Sequence, residues 1–251
     1  MFDDYIDDGC KPIPSLGHFP RQNEISTGTT LVAIEYDGGV VVGTDSRTSS
    51  GSFIASRCTD KITPINSRMV VCRCGSAADT QTITDVVKYH LEVKELEENK
   101  KITVLDAGNE FRKLLYNYRD SLSAATIVAG YDDELGGQVY SIPSGGTIYR
   151  QTITSLGSGS TFIHTYLDAN WRKNLSKLDC LKLIRSAVYL ATSRDGSSGG
   201  VIRLACINKM GMERFLYRPD QGEFPVLHRP LPYLGIMSGF QARGEEEKVI
   251  D

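Results

Sequence analysis

Twice along this chain a block of strand-like runs gives way to a pair of helix-like runs, and twice the strands return. Few architectures satisfy that order. TTLVAIEY and VVVGTDS flank Asp37-Gly38-Gly39, a sequence suited to a tight hairpin, and SFIAS and SRMVVCRC carry the β character on to Cys74. The period then lengthens. Ser76 is placed to cap a helix in which Ile83, Val86, Val87, His90 and Leu91 recur at helical spacing; Thr103 is placed to cap a second, running through Val104, Ala107, Phe111, Leu114, Leu115 and Tyr118. The charged run EVKELEENKK between them reads as a solvated helix end and loop. ATIVAGY, QVYSIPS and TIYRQTI restore strands. After Gly157-Ser158-Gly159-Ser160 come two more helical runs, one with Ile163, Tyr166 and Leu167, the next with Leu181, Ile184, Val188 and Ala191, before the strands VIRLACIN and ERFLYRP.

Helix pairs set between blocks of antiparallel strands suit two stacked sheets, each needing a cover for its outer apolar face. The expected fold is therefore α+β, a four-layer αββα sandwich of two antiparallel sheets flanked by helix pairs. A single domain is expected over residues 29–251, with a C-terminal tail from about 220. Residues 1–28 differ in kind: Pro12, Pro14 and Pro20 interrupt them and no period emerges. Their Asp3, Asp4, Asp7, Asp8 and Glu24, against Lys11 and Arg21, account for the whole net charge of −3. The body from Thr29 onward is neutral, which gives nucleic acid nothing to bind. The N-terminus lacks the basic flank and apolar core of a secretory signal, and no run approaches the roughly 18 apolar residues of a membrane span. Six cysteines without a C-x-x-C suggest neither a zinc site nor a disulfide framework, so no metal or cofactor and a reducing compartment are expected. The sequon Asn174-Leu175-Ser176 then reads as helix surface.

Thr27-Gly28-Thr29-Thr30 stands where this leader meets the first strand. A cut after Gly28 would give Thr29 a free amine beside its own hydroxyl. The hydroxyl needs a base, and an α-amine of pKa about 7.7–8.0 is partly neutral at pH 7, whereas a lysine near 10.4 is not. While Gly28 is attached that nitrogen is an amide, and the leader holds the enzyme off. Asp45 in GTDSR and Lys61 in CTDKITP are candidates for a carboxylate and a cation beside the hydroxyl. Gly75, where a strand meets a helix N-terminus, offers an unshielded backbone N–H for a developing oxyanion. Ser158 in GSGS, with Asp195 and Ser198 in RDGSSGG, completes a set of small polar residues at element ends.

The motifs GTT, GTDSRT, TDKITPI, GSAADTQ, GSGS and RDGSSGGVIRL, in this order from Thr29 to about Leu216, closely resemble the catalytic β-subunits of the eukaryotic proteasome core particle, which are N-terminal nucleophile hydrolases. That resemblance implies a leader (1–28) removed by autocatalytic cleavage, with Thr29 the nucleophile, Lys61 and Asp45 its activating pair, Gly75 the oxyanion donor, and Ser158, Asp195 and Ser198 the supporting network. It implies that the backbone of Ser49, Gly75 and Ala77 pairs with an extended polypeptide substrate. Arg73 lies two residues before Gly75, on the same side of the pleat. In the resembled family an arginine there floors a pocket for acidic side chains, the caspase-like class, and Thr48, Thr59 and Thr63 line that pocket. Other β-subunits in a hetero-oligomeric ring, α-subunits of the adjacent ring, and a place in cytoplasm and nucleus follow as implied. Cys74 departs from the serine more usual in such chains and offers a thiol near the pocket; GEEEKVID at the end matches no motif.

Two rival readings are weaker. Residues 196–200 fit G-x-S-x-G, but a nucleophile elbow runs from strand to helix, whereas here a helix precedes and VIRLACIN follows; His18, His90, His164 and His228 sit in no partner motif. A catalytically silent structural subunit of the same particle is the other, and the presence of Gly28, Thr29, Asp45 and Lys61 speaks against it.

Overall fold

The computed structural model describes residues 28–218, so the leader before Gly28, including Cys10 and His18, and the tail from about 220 lie outside the described residues. Strands β1 (Leu31–Tyr36) and β2 (Gly39–Thr44) form the predicted hairpin. A short ribbon of β3 (Thr48–Ser50) and β4 (Phe53–Ser56) leads to β5 (Ile62–Asn66) and β6 (Met69–Gly75). Helices α1 (Ala77–Glu98) and α2 (Val104–Asn117) precede β7 (Ala124–Asp132), β8 (Gly136–Ile142), β9 (Tyr149–Arg150) and β10 (Ile153–Leu156). A 3-10 turn (Ser158–Phe162), α3 (His164–Asn170), α4 (Lys177–Arg194), β11 (Ile202–Asn208) and β12 (Gly211–Tyr217) complete the order.

Two antiparallel five-stranded sheets result, one ordered β10-β1-β2-β11-β12 and the other β5-β6-β7-β8-β9. Alternation along each strand decides what it touches. In β1, Val32 and Ile34 meet α3 and α4, while Leu31 and Ala33 meet the other sheet. In β6, Met69 and Val71 meet α1 and α2, while Val70, Cys72 and Cys74 face between the sheets. Three apolar layers thus separate four structural ones, and the αββα sandwich is the observed fold.

The caps act as the sequence indicates. Ser76 Oγ accepts from the Asp79 N–H at the start of α1, and Thr103 with Asp106 forms a reciprocal capping box on α2. Three local readings change. TIYRQTI is two strands rather than one: β9 joins β8 in one sheet and β10 joins β1 in the other, so Gln151 and Thr152 carry the chain across the sandwich. ITPIN within the TDKITPI motif is itself a strand, paired with β6. Asn174 has φ +63° in the exposed loop before α4, and Ser176 caps that helix, so the sequon lies on a turn and not on a helix surface. Among the described residues no helix is long and apolar enough to cross a membrane, and no group of His, Cys, Asp and Glu is arranged to hold a metal ion.

Candidate active site

The strand ends converge at one end of the sandwich. Thr29 stands two residues before β1, Asp45 directly follows β2, and Lys61 directly precedes β5, so each is held at the end of a ladder rather than on a free loop. The ammonium of Lys61 donates to Asp45 Oδ1 at 2.8 Å, to Thr29 Oγ1 at 3.0 Å and to the Gly28 carbonyl oxygen at 3.1 Å, which uses its three hydrogens. Thr29 Oγ1 in turn donates to the Gly28 carbonyl at 2.7 Å. Asp45 is fully buried yet its oxygens accept four donors: Lys61 and the Thr30 N–H on one, the Arg47 and Gly199 N–H groups on the other. Burial pulls the Lys61 ammonium down from its ordinary value, and the charge and hydrogen bond of Asp45 oppose that pull.

Behind the threonine, the Thr29 N–H donates to Ser158 Oγ at 3.2 Å, and Ser158 Oγ donates to Asp195 Oδ2 at 2.7 Å. Ser198, fully buried, donates to the same oxygen at 2.6 Å and lies 2.8 Å from Thr30 Oγ1. Burial works against the Asp195 charge, but Ser198, Ser158, the Ser197 N–H and the charge of Lys61 hold its carboxyl below the usual range. Ser198 therefore has its hydroxyl tied up between α4 and β11, reversing the strand-to-helix order of an elbow; His164 pairs with Ser155 at 3.1 Å instead.

In front of Thr29 opens a cleft lined by Thr48, Thr59, Lys61, Arg73, Gly75 and Ala77, together with Asp60, Thr80 and Gln81. Gly75 must be glycine: its φ is +106°, and a Cβ there would fall on the Ser123 carbonyl. That bend turns β6 directly into the cap of α1. Thr48 donates to Thr59 across the cleft wall at 2.8 Å. Arg73 is half-buried; its Nη2 donates to the Asp60 carbonyl at 3.0 Å, and its buried Nε has no partner. Among the described residues no carboxylate stands within ion-pair distance of it.

The structure brings together Thr29, Asp45, Lys61, Ser158, Asp195 and Ser198 in one network, and Thr48, Thr59, Arg73, Gly75 and Ala77 along one cleft. Two expected members stand apart. Thr63 lies on β5 opposite Val71, on the same face as Arg73 but set back from the cleft wall, and the side chain of Ser49 is buried in β3 opposite Ile54. Cys74 offers no thiol to the cleft either: it faces between the sheets, donates to the Ala125 carbonyl at 3.4 Å, and burial pushes its thiol up to about 12. Asp60, Thr80 and Gln81 were not singled out in the sequence. The last two follow from helical spacing, three and four residues after Ala77 on the same face of α1; Asp60 is visible only once β12 is seen to reach it.

The chain matches the model of the proteasome subunit family over residues 25–207. It is 44% identical over 203 residues to proteasome subunit beta type-1 of Saccharomyces cerevisiae, covering 81% of this chain and 94% of that one. It is 47% identical over 192 residues to proteasome subunit beta type-6 of Dictyostelium discoideum (76% and 90%), and 45% over 197 residues to proteasome subunit beta type-9 of Homo sapiens (78% and 90%). Because the family match takes in every residue of the Thr29 network and all four helices, the chain belongs to the proteasome subunit family, on its β-subunit branch.

Proposed function

We propose that this chain is a threonine endopeptidase of the proteasome core particle which frees its own nucleophile by cutting after Gly28 and then cleaves polypeptides after acidic residues. One observation carries the reading: Thr29 Oγ1 lies 2.7 Å from the Gly28 carbonyl oxygen while Lys61 Nζ reaches both atoms, at 3.0 and 3.1 Å. Attack by Oγ1 on that carbonyl carbon gives a tetrahedral oxyanion, which the Lys61 ammonium stabilises where it already donates. The C–N bond then breaks, the nitrogen takes up the proton that Oγ1 gives up in the attack, and the leader is left joined through Gly28 as an ester on Thr29. Water hydrolyses the ester, releasing the Gly28 carboxylate and restoring the hydroxyl.

The freed amine remains beside Ser158 Oγ. Since Ser158 gives its proton to Asp195, a lone pair faces the amine and orients it. In each later turnover the amine serves as base, buried Lys61 held charged by Asp45 lowers the cost of the threonine alkoxide, and the Gly75 N–H receives the substrate oxyanion. Arg73 supplies a cation with no ion-pair partner in the cleft, matched to an aspartate or glutamate side chain before the cut. Thr48 and Thr59 line the same pocket with Thr63 at its margin, and the backbone of Ser49, Gly75 and Ala77 pairs with the extended substrate. The subunit works in a hetero-oligomeric β-ring against an α-ring, on unfolded intracellular proteins, in cytoplasm and nucleus.

Thr29→Ala tests the reading. The assembled particle should retain a subunit with intact leader and lose post-acidic cleavage; intact mass showing normal processing would refute the nucleophile. A wild-type chain still beginning at Met1 in mature particles would instead establish the silent structural subunit.

A further inference from the structure

Arg73 raises a question of charge. A half-buried guanidinium with Asp60 as its immediate neighbour in the chain's folding would ordinarily be neutralised by it. The geometry prevents this. Asp60 meets Arg73 through its backbone carbonyl, at 3.0 Å, while its carboxylate is turned to β12, where Arg214 Nη2 contacts both oxygens at 2.8 and 2.6 Å. The Ile62 N–H adds a further donor to Asp60 Oδ1 at 3.0 Å. The three charges therefore sum to one net positive charge, and Arg73 carries it at the cleft. Asp85 on α1 acts on Arg73 only through space.

We propose that Arg214 is a specificity-positioning residue: by holding the Asp60 carboxylate on β12 it keeps Arg73 unpaired for the substrate's acidic side chain. The inference rests on the post-acidic reading above. Without Arg214 the Asp60 carboxylate is released within reach of Arg73, the cluster becomes neutral, and an acidic substrate group must compete with an internal carboxylate. Apolar substrates pay no such penalty. Nothing in the Thr29 network touches Arg214, so the chemical step itself is left alone.

Assembled particles carrying Arg214→Met, Arg214→Lys, Asp60→Asn with Arg214→Met, and Arg73→Leu should be assayed on fluorogenic peptides ending in Asp or Leu. Arg214→Met should reduce kcat/KM for the Asp peptide about tenfold, chiefly through KM, with the Leu peptide unchanged. Arg214→Lys should keep the wild-type ratio, and adding Asp60→Asn should restore it. Equal losses on both peptides, or a double variant no better than the single one, would overturn the proposal. If Arg73→Leu leaves the wild-type preference intact, it is the post-acidic reading that fails, not the role of Arg214.

Discussion

Gly28 shows how much one missing side chain can decide. A Cβ there would fall on Ser197, colliding with both its side chain and its backbone, so any larger residue must lift the Gly28 carbonyl away from Lys61. Gly28→Ala should therefore slow leader removal by about a hundredfold, followed by intact mass over time, while subunits that have completed the cut turn over normally. Lys61→Ala removes the cation from two reacting oxygens and leaves Asp45 one donor short in a fully buried place. Processing and turnover should both fall by at least about 10²–10³-fold. The pH dependence has a defined sign. On the proposed mechanism the base must be neutral, so kcat/KM should rise with pH, with its inflection near the amine's ordinary pKa of about 7.7–8.0, and flatten only above about pH 9. The negative Asp195 favours the protonated amine, so Asp195→Asn should move that inflection to lower pH, read from a pH–rate profile of the assembled particle. Thr29, Lys61 and Asp45, the proposed nucleophile, cation and carboxylate, are legible in the sequence because each sits in a short motif at an element end. Cys74 is misjudged because nearness in the chain does not tell which face of a strand a side chain takes: it falls on the inward row of β6, one residue out of step with Arg73.

At the scale of elements, the hairpins, the helices and their caps are readable from period and from Ser76, Thr103 and Ser176. The break in TIYRQTI is not. Its β-branched and aromatic residues favour strand throughout, and only the packing of two sheets divides it after Arg150. Asp132 is a comparable case of tertiary service. Almost fully buried at the end of β7, it accepts from the N–H groups of Val104, Glu134 and Leu135 and from the Gln138 amide, so that one carboxylate closes the β7–β8 turn and seats α2. Burial opposes the charge, but those donors hold the carboxyl below its ordinary range. Folded Asp132 thus binds fewer protons than unfolded Asp132; its contribution is present above about pH 4 and is lost as the pH falls through the folded value. Asp132→Asn should lower the stability of the full-length chain by roughly 2–3 kcal/mol at pH 7, measured as a urea midpoint, with little difference from wild type once Asp132 is protonated.

Across the whole molecule, the layer order is what sequence conveys best, since each sheet must hide an outer face and the helix pairs arrive where covers are needed. What it conveys least is convergence: Thr29, Lys61, Ser158 and Asp195 are separated by long stretches and meet only because β1, β5, the 3-10 turn and α4 end at the same pole. One strand within that design does two jobs on opposite sides. The inward register of β6, with Val70, Cys72 and Cys74, belongs to the shared interior; the outward register ends in Arg73 at the cleft. Met69 and Val71 of that outward row still serve the fold under α1 and α2, so on the proposed reading what the chain prefers to cut is written at one position, Arg73, and a duplicated copy of such a gene can drift in diet there while its architecture stays still.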